Sequence, residues 1–175
     1  MNEVLVIVYS HTGTGWRLAE RLCDQKGWPM ATVTDARPRS GWLGTWRCLL
    51  DSWLRREPPI RYAGPDPRDF DAVVLIAPIW AGRLAGPMRS FVSAWCALLP
   101  EVAVAPVMGG SAAPDAPAEI GRLIGRAPIL STAFTQREVN DGSCAARLKA
   151  FGDGVQIARG RAGVTRPCSL SPQPA

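Results

Sequence analysis

The chain has 175 residues, of which 47% are hydrophobic, and this length suits one compact domain with its own apolar core. The formal net charge is +5, but the basic residues are almost all arginine and are scattered, so the clustered basic surface of a nucleic-acid-binding protein is not indicated. The five cysteines are odd in number and widely spaced, which indicates neither a disulfide framework nor a paired-cysteine metal site.

The N-terminal segment and the cysteines predict a cytoplasmic protein. The first ten residues, MNEVLVIVYS, place an acidic residue ahead of a short apolar run and lack the basic leader of a signal peptide. No apolar run is long enough to span a bilayer. Unpaired cysteines suit a reducing compartment. We therefore expect no membrane span and no nucleic-acid partner.

Five apolar runs rich in β-branched residues recur along the chain, with helical or loop segments between them. They cover residues 4–9, 30–34, 72–77, 102–108 and 128–135. Strands that alternate with helices predict βαβ units and a parallel sheet. The first and third runs, VLVIVY and AVVLIA, are apolar on both faces, which is typical of central strands covered by helices on each side.

Apolar residues at helical spacing predict three helices that cover this sheet. One stripe follows the first strand, one follows the third strand, and one lies near the C-terminus. In chain order they consist of Leu18, Ala19, Leu22 and Cys23; Met88, Phe91, Val92, Trp95 and Leu99; and Cys144, Leu148, Phe151 and Val155.

The segment before the third strand is rich in tryptophan. Its apolar residues share one helical face and predict an amphipathic helix that packs on the sheet; a face that docks a partner or touches a membrane is the alternative. They are Trp42, Leu43, Trp46, Leu49, Leu50, Trp53 and Leu54. Residues 57–68 are rich in proline and glycine and predict an extended loop. Residues 160–175 predict a disordered tail, which leaves residues 1–159 as the domain.

The loop after the first strand has the composition of a phosphate site. It reads Ser10-His11-Thr12-Gly13-Thr14-Gly15, and a helix is predicted to follow over residues 17–26. The first backbone N–H groups of a helix lack internal partners and carry the positive end of its dipole, while hydroxyls add donors and glycine lets the backbone close around an anion. His11 is the only histidine, and either lies near the anion or is simply solvated.

Two other phosphate motifs fit this loop less well. The Gly-Lys-Ser/Thr ending of a Walker A loop is absent. A dinucleotide-binding fingerprint finds its first two glycines in Gly13 and Gly15 and an acid at Asp35, but Leu18 stands where the third glycine belongs.

The third strand and its flanks, DFDAVVLIAPIWAGRLAGPMRSFV over residues 69–92, carry a family resemblance. Together with Ser10-x-Thr12-Gly13 they resemble the flavodoxin-like family, whose phosphate loop reads Thr or Ser, any, Thr, Gly, any, Thr. The resemblance covers roughly residues 3–155. Gly15 departs from it, because it replaces the last threonine and removes one hydroxyl contact.

The resemblance implies a doubly wound α/β fold with a five-stranded parallel sheet in the order 2-1-3-4-5, and non-covalently bound FMN at the carboxyl ends of the strands. The phosphate would lie against the loop from Ser10 to Gly15. The flavin ring would meet two further loops, with Trp80 as the aromatic contact; Trp80 as a core residue capping the sheet is the alternative. The predicted ring contacts are Pro78, Ile79, Trp80, Ala81, Gly82, Gly109, Gly110 and Ser111.

The implied function is electron transfer by the cofactor, with no catalytic side chain and no metal. The partner would be a redox protein or a small-molecule electron acceptor. Because electron-carrying flavodoxins are usually acidic, a net charge of +5 leaves an FMN-dependent NAD(P)H:quinone-type oxidoreductase as an alternative. A flavin-free module that binds other proteins through the Trp-rich helix is a further alternative. That helix could instead be buried in a homodimer.

Overall fold

The computed structural model describes residues 4–36, 58–80, 82–110 and 116–164. The strands are β1 (Val4–Val8), β2 (Met30–Asp35), β3 (Ile60–Ala63), β4 (Ala72–Trp80), β5 (Arg83–Leu84), β6 (Glu101–Met108), β7 (Leu130–Ser131) and β8 (Phe134–Thr135). The α-helices are α1 (Thr14–Lys26), α2 (Gly86–Trp95), α3 (Ala116–Ile124), α4 (Gln136–Asp141) and α5 (Ala145–Val164). A short 3-10 turn covers Pro67–Asp69.

The central strands form a parallel sheet in the order β2-β1-β4-β6, and β7 and β8 both pair in parallel with β6 on the outer side. In terms of the five predicted strands this order is 2-1-3-4-5, so the predicted α/β fold and strand order are confirmed. The order reverses between β1 and β4, because the chain returns across β1 after β2.

The core lies on both faces of the sheet, as the two-sided apolar strands predict. Val4, Val6 and Val8 of β1 pack with residues of α1 and α5 on one face. Leu5 and Ile7 belong to the second cluster, which includes the buried face of α2. The sheet is therefore covered by helices on both sides.

The three predicted apolar stripes lie on α1, on α2 and on α5, except that Leu99 follows the end of α2 and Cys144 directly precedes α5. Leu18 and Leu22 of α1 and Phe151 of α5 are buried in the same cluster. Gly152 lets the two helices approach closely, since a Cβ at this position would lie only 2.4 Å from the Cε atom of Lys26. Helix α5 runs on to Val164, so the predicted start of the tail at residue 160 falls inside a helix. Residues 165–175 lie outside the described residues.

The predicted loop over residues 57–68 contains a strand, so the prediction is wrong there. Strand β3 pairs antiparallel with β2, with Tyr62 opposite Val33. The Tyr62 ring stacks on Phe91 of α2 at a centroid distance of 5.3 Å. This side-chain packing and the backbone pairing with β2 hold four residues extended between turns rich in proline and glycine. The sheet therefore has an antiparallel edge beyond the five predicted strands.

The fifth predicted strand is interrupted. Residues 130–131 and 134–135 form two short strands, while Thr132 and Ala133 between them are not in the sheet. The Trp-rich segment over residues 42–54 lies outside the described residues, so its helix stays a prediction. No helix in the described ranges has the length and apolarity needed to cross a bilayer.

Candidate functional site

Three neighbouring strands end side by side at the carboxyl edge of the sheet. Strand β1 pairs with β4, and β4 pairs with β6, all in parallel. The loops that follow these strands are therefore adjacent. In open α/β sheets, ligands bind outside the carboxyl ends of the strands, at the point where the strand order reverses. That point lies here between β1 and β4.

The loop after β1 is held by its own residues. Gly13 precedes α1 with a φ of +84°, in the left-handed region that favours glycine. Its backbone N–H donates to Oγ of Ser10 at 3.1 Å. A hydroxyl that accepts one hydrogen bond still has its own hydrogen to donate. Ser10 can therefore fix the turn and also donate to a ligand.

The N-terminus of α1 presents backbone donors at this loop. The first helical hydrogen bond runs from the N–H of Arg17 to the carbonyl of Gly13 at 3.1 Å, so the N–H groups of Thr14, Gly15 and Trp16 precede it. The first turn carries no acidic side chain. The hydroxyls of Thr12 and Thr14 lie 3.5 Å apart. These donors and the helix dipole together form an arrangement that can bind an anion.

Gly15 is not required by the backbone at its position. A Cβ atom there would lie 3.4 Å from both the Cβ and the Oγ of Ser10, which is ordinary van der Waals contact. A hydroxyl-bearing side chain can therefore start from this position with little adjustment.

The segment after β4 is a hairpin. Strand β4 continues to Trp80, three residues beyond the predicted run, and β5 turns back antiparallel with Arg83 opposite Trp80. Gly82 has a φ of +74°, as short hairpin turns require. Pro78 and Ile79, predicted as loop residues, are thus strand residues. Ala81 lies outside the described residues.

An aromatic cluster joins the first loop to the hairpin. The His11 and Trp80 rings are perpendicular, with centroids 5.8 Å apart. Tyr9 contacts the same indole edge to face at 6.1 Å, and its hydroxyl donates to Oδ2 of Asp35 at 3.0 Å. Trp80 is half-buried and packs against the second core cluster, so one part of its side chain caps the sheet and another part is exposed. The sequence reading missed Tyr9, whose signal was its place as the last residue of the first apolar run.

The loop after β6 begins with two exposed glycines. Gly109 and Gly110 follow the buried Met108, and a Cβ atom at either glycine would meet no atom of the described residues within 4 Å. The same open space surrounds the Cβ positions of Gly13 and Gly82. A ligand can therefore approach the backbone closely at these four glycines. Ser111 lies outside the described residues.

Cys23 lies in the last turn of α1, at the end of that helix remote from this edge. Burial, with Asp24 and Glu20 nearby, raises the pKa of the Cys23 thiol to about 11, so this cysteine is a poor nucleophile. The described residues include no group of three or more His, Cys, Asp or Glu that could hold a metal. A hollow of about 540 Å³ is lined by residues of α3 and of the following segment, and by none of the predicted site residues.

The topology defines the class: the chain has the flavodoxin-like fold. It is similar to a flavoprotein in complex with FMN from Lactobacillus acidophilus NCFM, with a TM-score of 0.66, 20% identity, and coverage of 82% of this chain and 99% of that one. It is also similar to a putative flavoprotein from Bacteroides eggerthii DSM 20697, with a TM-score of 0.67, 18% identity, and coverage of 85% of this chain and 97% of that one.

A third structure extends the likeness to flavodoxins themselves. Two-electron reduced Megasphaera elsdenii flavodoxin has a TM-score of 0.52 and 12% identity, covering 88% of this chain and 98% of that one. Within the class, the chain is thus more similar to the two flavoproteins than to this flavodoxin. No family model matches the chain, and no curated protein matches it in sequence.

Proposed function

We propose that the chain binds FMN non-covalently and transfers electrons through it. The observation that carries the proposal is the contact between His11 and Trp80, whose ring centroids are 5.8 Å apart. This contact puts an anion-binding helix N-terminus and a half-buried indole at one edge of the sheet. A ligand with a phosphate at one end and an aromatic ring system at the other suits both.

The phosphate end is supported by the number and kind of donors. The N–H groups of Thr14, Gly15 and Trp16 precede the first helical hydrogen bond, and Ser10 and Thr12 add hydroxyls. Each hydrogen bond to a charged group contributes about 1.5–3 kcal/mol. A monophosphate can therefore gain several such bonds without any basic side chain.

The ring end is supported by one aromatic side chain and open backbone. Tyr9 and His11 contact the Trp80 indole edge to face, which fixes its position beside the first loop. Gly82 and Gly109 leave space for a planar ring to approach the backbone. FMN, when bound, supplies the redox chemistry, while the chain orients the ring and tunes its potential through these contacts.

Electron transfer is supported by the exposure of this end. Gly82, Gly109 and Gly110 are exposed and Trp80 is half-buried, so the ring end of the site reaches the surface. The described residues therefore leave this end open to an electron donor or acceptor. The proposed roles of the described side chains are to bind and orient, with no general acid or base among them.

The first test is whether the protein takes up flavin. The purified protein should show flavin absorbance or gain it when FMN is added. Because riboflavin lacks the phosphate, FMN should bind at least about tenfold more tightly than riboflavin. A colourless preparation that takes up no FMN would contradict the proposal and favour the flavin-free interaction module.

A second test separates a carrier from a reductase. The net charge of +5 favours contact with anionic partners, including a nicotinamide nucleotide. The flavin-loaded protein is mixed with NADH or NADPH without oxygen, and flavin absorbance is followed. Rapid bleaching indicates an FMN-dependent oxidoreductase, whereas unchanged absorbance indicates a carrier that receives electrons from a protein.

A further inference from the structure

Arg89 and Glu119 form a buried ion pair between two helices. Arg89 lies in α2 and Glu119 in α3, and their residues are only 3% and 7% exposed. Nε of Arg89 donates to Oε1 of Glu119 at 2.7 Å. Nη1 of Arg89 is buried with no hydrogen-bond partner in the described part of the chain. Glu119 therefore balances the charge of this buried guanidinium group.

Both members of the pair also bind one residue of the hairpin. The backbone N–H of Leu84 donates to Oε2 of Glu119 at 3.1 Å. The carbonyl of Leu84 accepts a hydrogen bond from Nη2 of Arg89 at 3.0 Å. Leu84 lies opposite Ile79 in the hairpin, one position from Trp80. The pair thus binds both backbone polar groups of Leu84.

The location of the pair links two loops of the candidate site. Helix α3 follows the loop that starts at Gly109, and Leu84 belongs to the hairpin that carries Trp80. A bond from Glu119 to Leu84 therefore fixes the hairpin relative to α3. Since a buried ion pair is often no more stabilising than apolar residues of the same volume, stability alone does not account for two charges here.

We propose that Arg89 and Glu119 are positioning residues that set the geometry of the ring end without touching the ligand. The nature of that ligand rests on the proposed function. The two hydrogen bonds from the pair to Leu84, called the brace below, do not depend on it. Loosening the brace should move the Trp80 hairpin and leave the loop from Ser10 to Gly15 unchanged. The effect should therefore fall on ring contacts and spare phosphate contacts.

The main test is Glu119→Gln, which keeps the side-chain shape but removes the charge and one acceptor. We expect FMN and riboflavin to bind about tenfold more weakly, by the same factor, because only ring contacts are lost. The visible circular dichroism and midpoint potential of the bound flavin should shift. Unchanged circular dichroism and potential in the folded variant would overturn the proposal.

The matched control is Lys26→Met. Lys26 is paired with Asp153, and its side chain is only 8% exposed, but it lies at the far end of α1 from the phosphate loop. This variant should lose stability and keep wild-type flavin affinity, circular dichroism and potential. If it shifts the flavin signals as Glu119→Gln does, the effect is one of general destabilisation and the proposal fails.

A double variant separates positioning from folding. Arg89→Met with Glu119→Leu replaces the ion pair by apolar residues. It should regain the stability that the single variant loses to an unpaired buried charge, but not the stability contributed by the two hydrogen bonds to Leu84. The flavin signals should stay shifted, because Leu84 is still not held. Recovery of both stability and flavin signals would show a purely structural pair.

Hydrogen exchange on the flavin-free protein tests the brace independently of the cofactor. The Leu84 amide should exchange at least about tenfold faster in Glu119→Gln than in Lys26→Met, when the two are compared at equal global stability. Equal exchange would overturn the brace even if FMN binds. Faster exchange in a protein that takes up no flavin would uphold the brace and reject only the proposed function.

Discussion

The two ends of the candidate site are held in different ways. The loop from Ser10 to Gly13 is fixed by a hydrogen bond that spans three residues. The hairpin that carries Trp80 is fixed by Glu119, which accepts a hydrogen bond from the backbone N–H of Leu84. These two residues are 35 positions apart in the sequence. The phosphate end is thus a local structure and the ring end a tertiary one. Changes to each should therefore alter different parts of ligand binding.

The largest expected effect comes from removing hydroxyl groups at the phosphate end of the candidate site. Ser10→Ala combined with Thr12→Ala removes two hydroxyl donors and the acceptor that holds Gly13. FMN affinity should fall at least about 100-fold, since two hydrogen bonds to a charged group are lost, while riboflavin affinity changes by less than about twofold. Titration of the flavin-free protein with each ligand measures this.

The control is Ser131→Ala, which removes an exposed hydroxyl from β7. It should leave both affinities unchanged. An equal loss of FMN and riboflavin affinity in the double variant would mean that the loop contacts the ring as well, and the division into two ends would be wrong.

The second effect comes from straining the turn of the hairpin at the ring end of the candidate site. Gly82 has a φ of +74°, so Gly82→Ala forces a side chain into the left-handed region at a cost of about 1–2 kcal/mol. The turn should shift to relieve this strain. We expect FMN and riboflavin affinity to fall together by about five- to tenfold, measured by the same titrations.

Gly125→Ala is the matched control, because Gly125 has a φ of +71° and follows α3, away from the hairpin. It should lower the free energy of unfolding by a similar amount and leave flavin binding unchanged. If both alanine variants weakened flavin binding equally, backbone strain at the turn would not be the cause.

The third effect comes from adding a hydroxyl group at the phosphate end of the candidate site. A Cβ at Gly15 would lie 3.4 Å from Ser10, so Gly15→Ser restores a hydroxyl where the resemblance expects threonine. Gly15→Ala is the control, because it adds the Cβ and the gain in helix propensity without the hydroxyl. The serine variant should bind FMN at least about tenfold more tightly than the alanine variant, with equal riboflavin affinity. Equal FMN affinities would place this hydroxyl away from the phosphate.

The smallest effect concerns a third segment at the same edge, where a capping box follows β8. Hydrogen bonds from Arg147 and Thr135 lower the pKa of Glu138 to about 2. An unfolded glutamate titrates near 4.3, so this carboxylate stabilises the fold above about pH 4.3, and the contribution is lost as the pH falls towards 2. Because Arg147 is exposed and Glu138 is only half-buried, solvent screens the interaction and the change should be small, about 2 °C in Tm.

Thermal unfolding between pH 2 and 6 checks this prediction. In Glu138→Gln the pH dependence of Tm should be flatter over that interval by the same amount, and the two proteins should differ least at the acid end. A variant with an unchanged pH profile would show that the contacts of Glu138 with Arg147 and Thr135 contribute nothing in solution.

The sequence predicted the parts of the fold that depend on local pattern. Apolar β-branched runs gave the central strands, and helical spacing placed the buried faces of α1, α2 and α5. The residues of β3 were read as a loop because proline and glycine surround them, although the half-buried Ile60 and Tyr62 alternate with the exposed Arg61 and Ala63. Packing of Tyr62 on Phe91 decides this strand, and one sequence does not show that packing.

The same limit applies to the site. The composition of the first loop was readable because its hydrogen bonds are local. Arg89 and Glu119 were missed, because charged residues in an amphipathic helix are ordinarily read as its solvent face. The one local signal was that Arg89 directly follows Met88, within a stripe that is otherwise buried. Its partner lies 30 residues away, in another helix.

The margins of the described sheet are short on both sides. The antiparallel β3 has four residues, and the opposite margin is divided into β7 and β8 with two residues each. Long exposed margins allow strands of other chains to add by backbone pairing, which leads to aggregation. These short edge strands offer few backbone groups for a strand of another chain to pair with. The folded chain should therefore resist aggregation in concentrated solution.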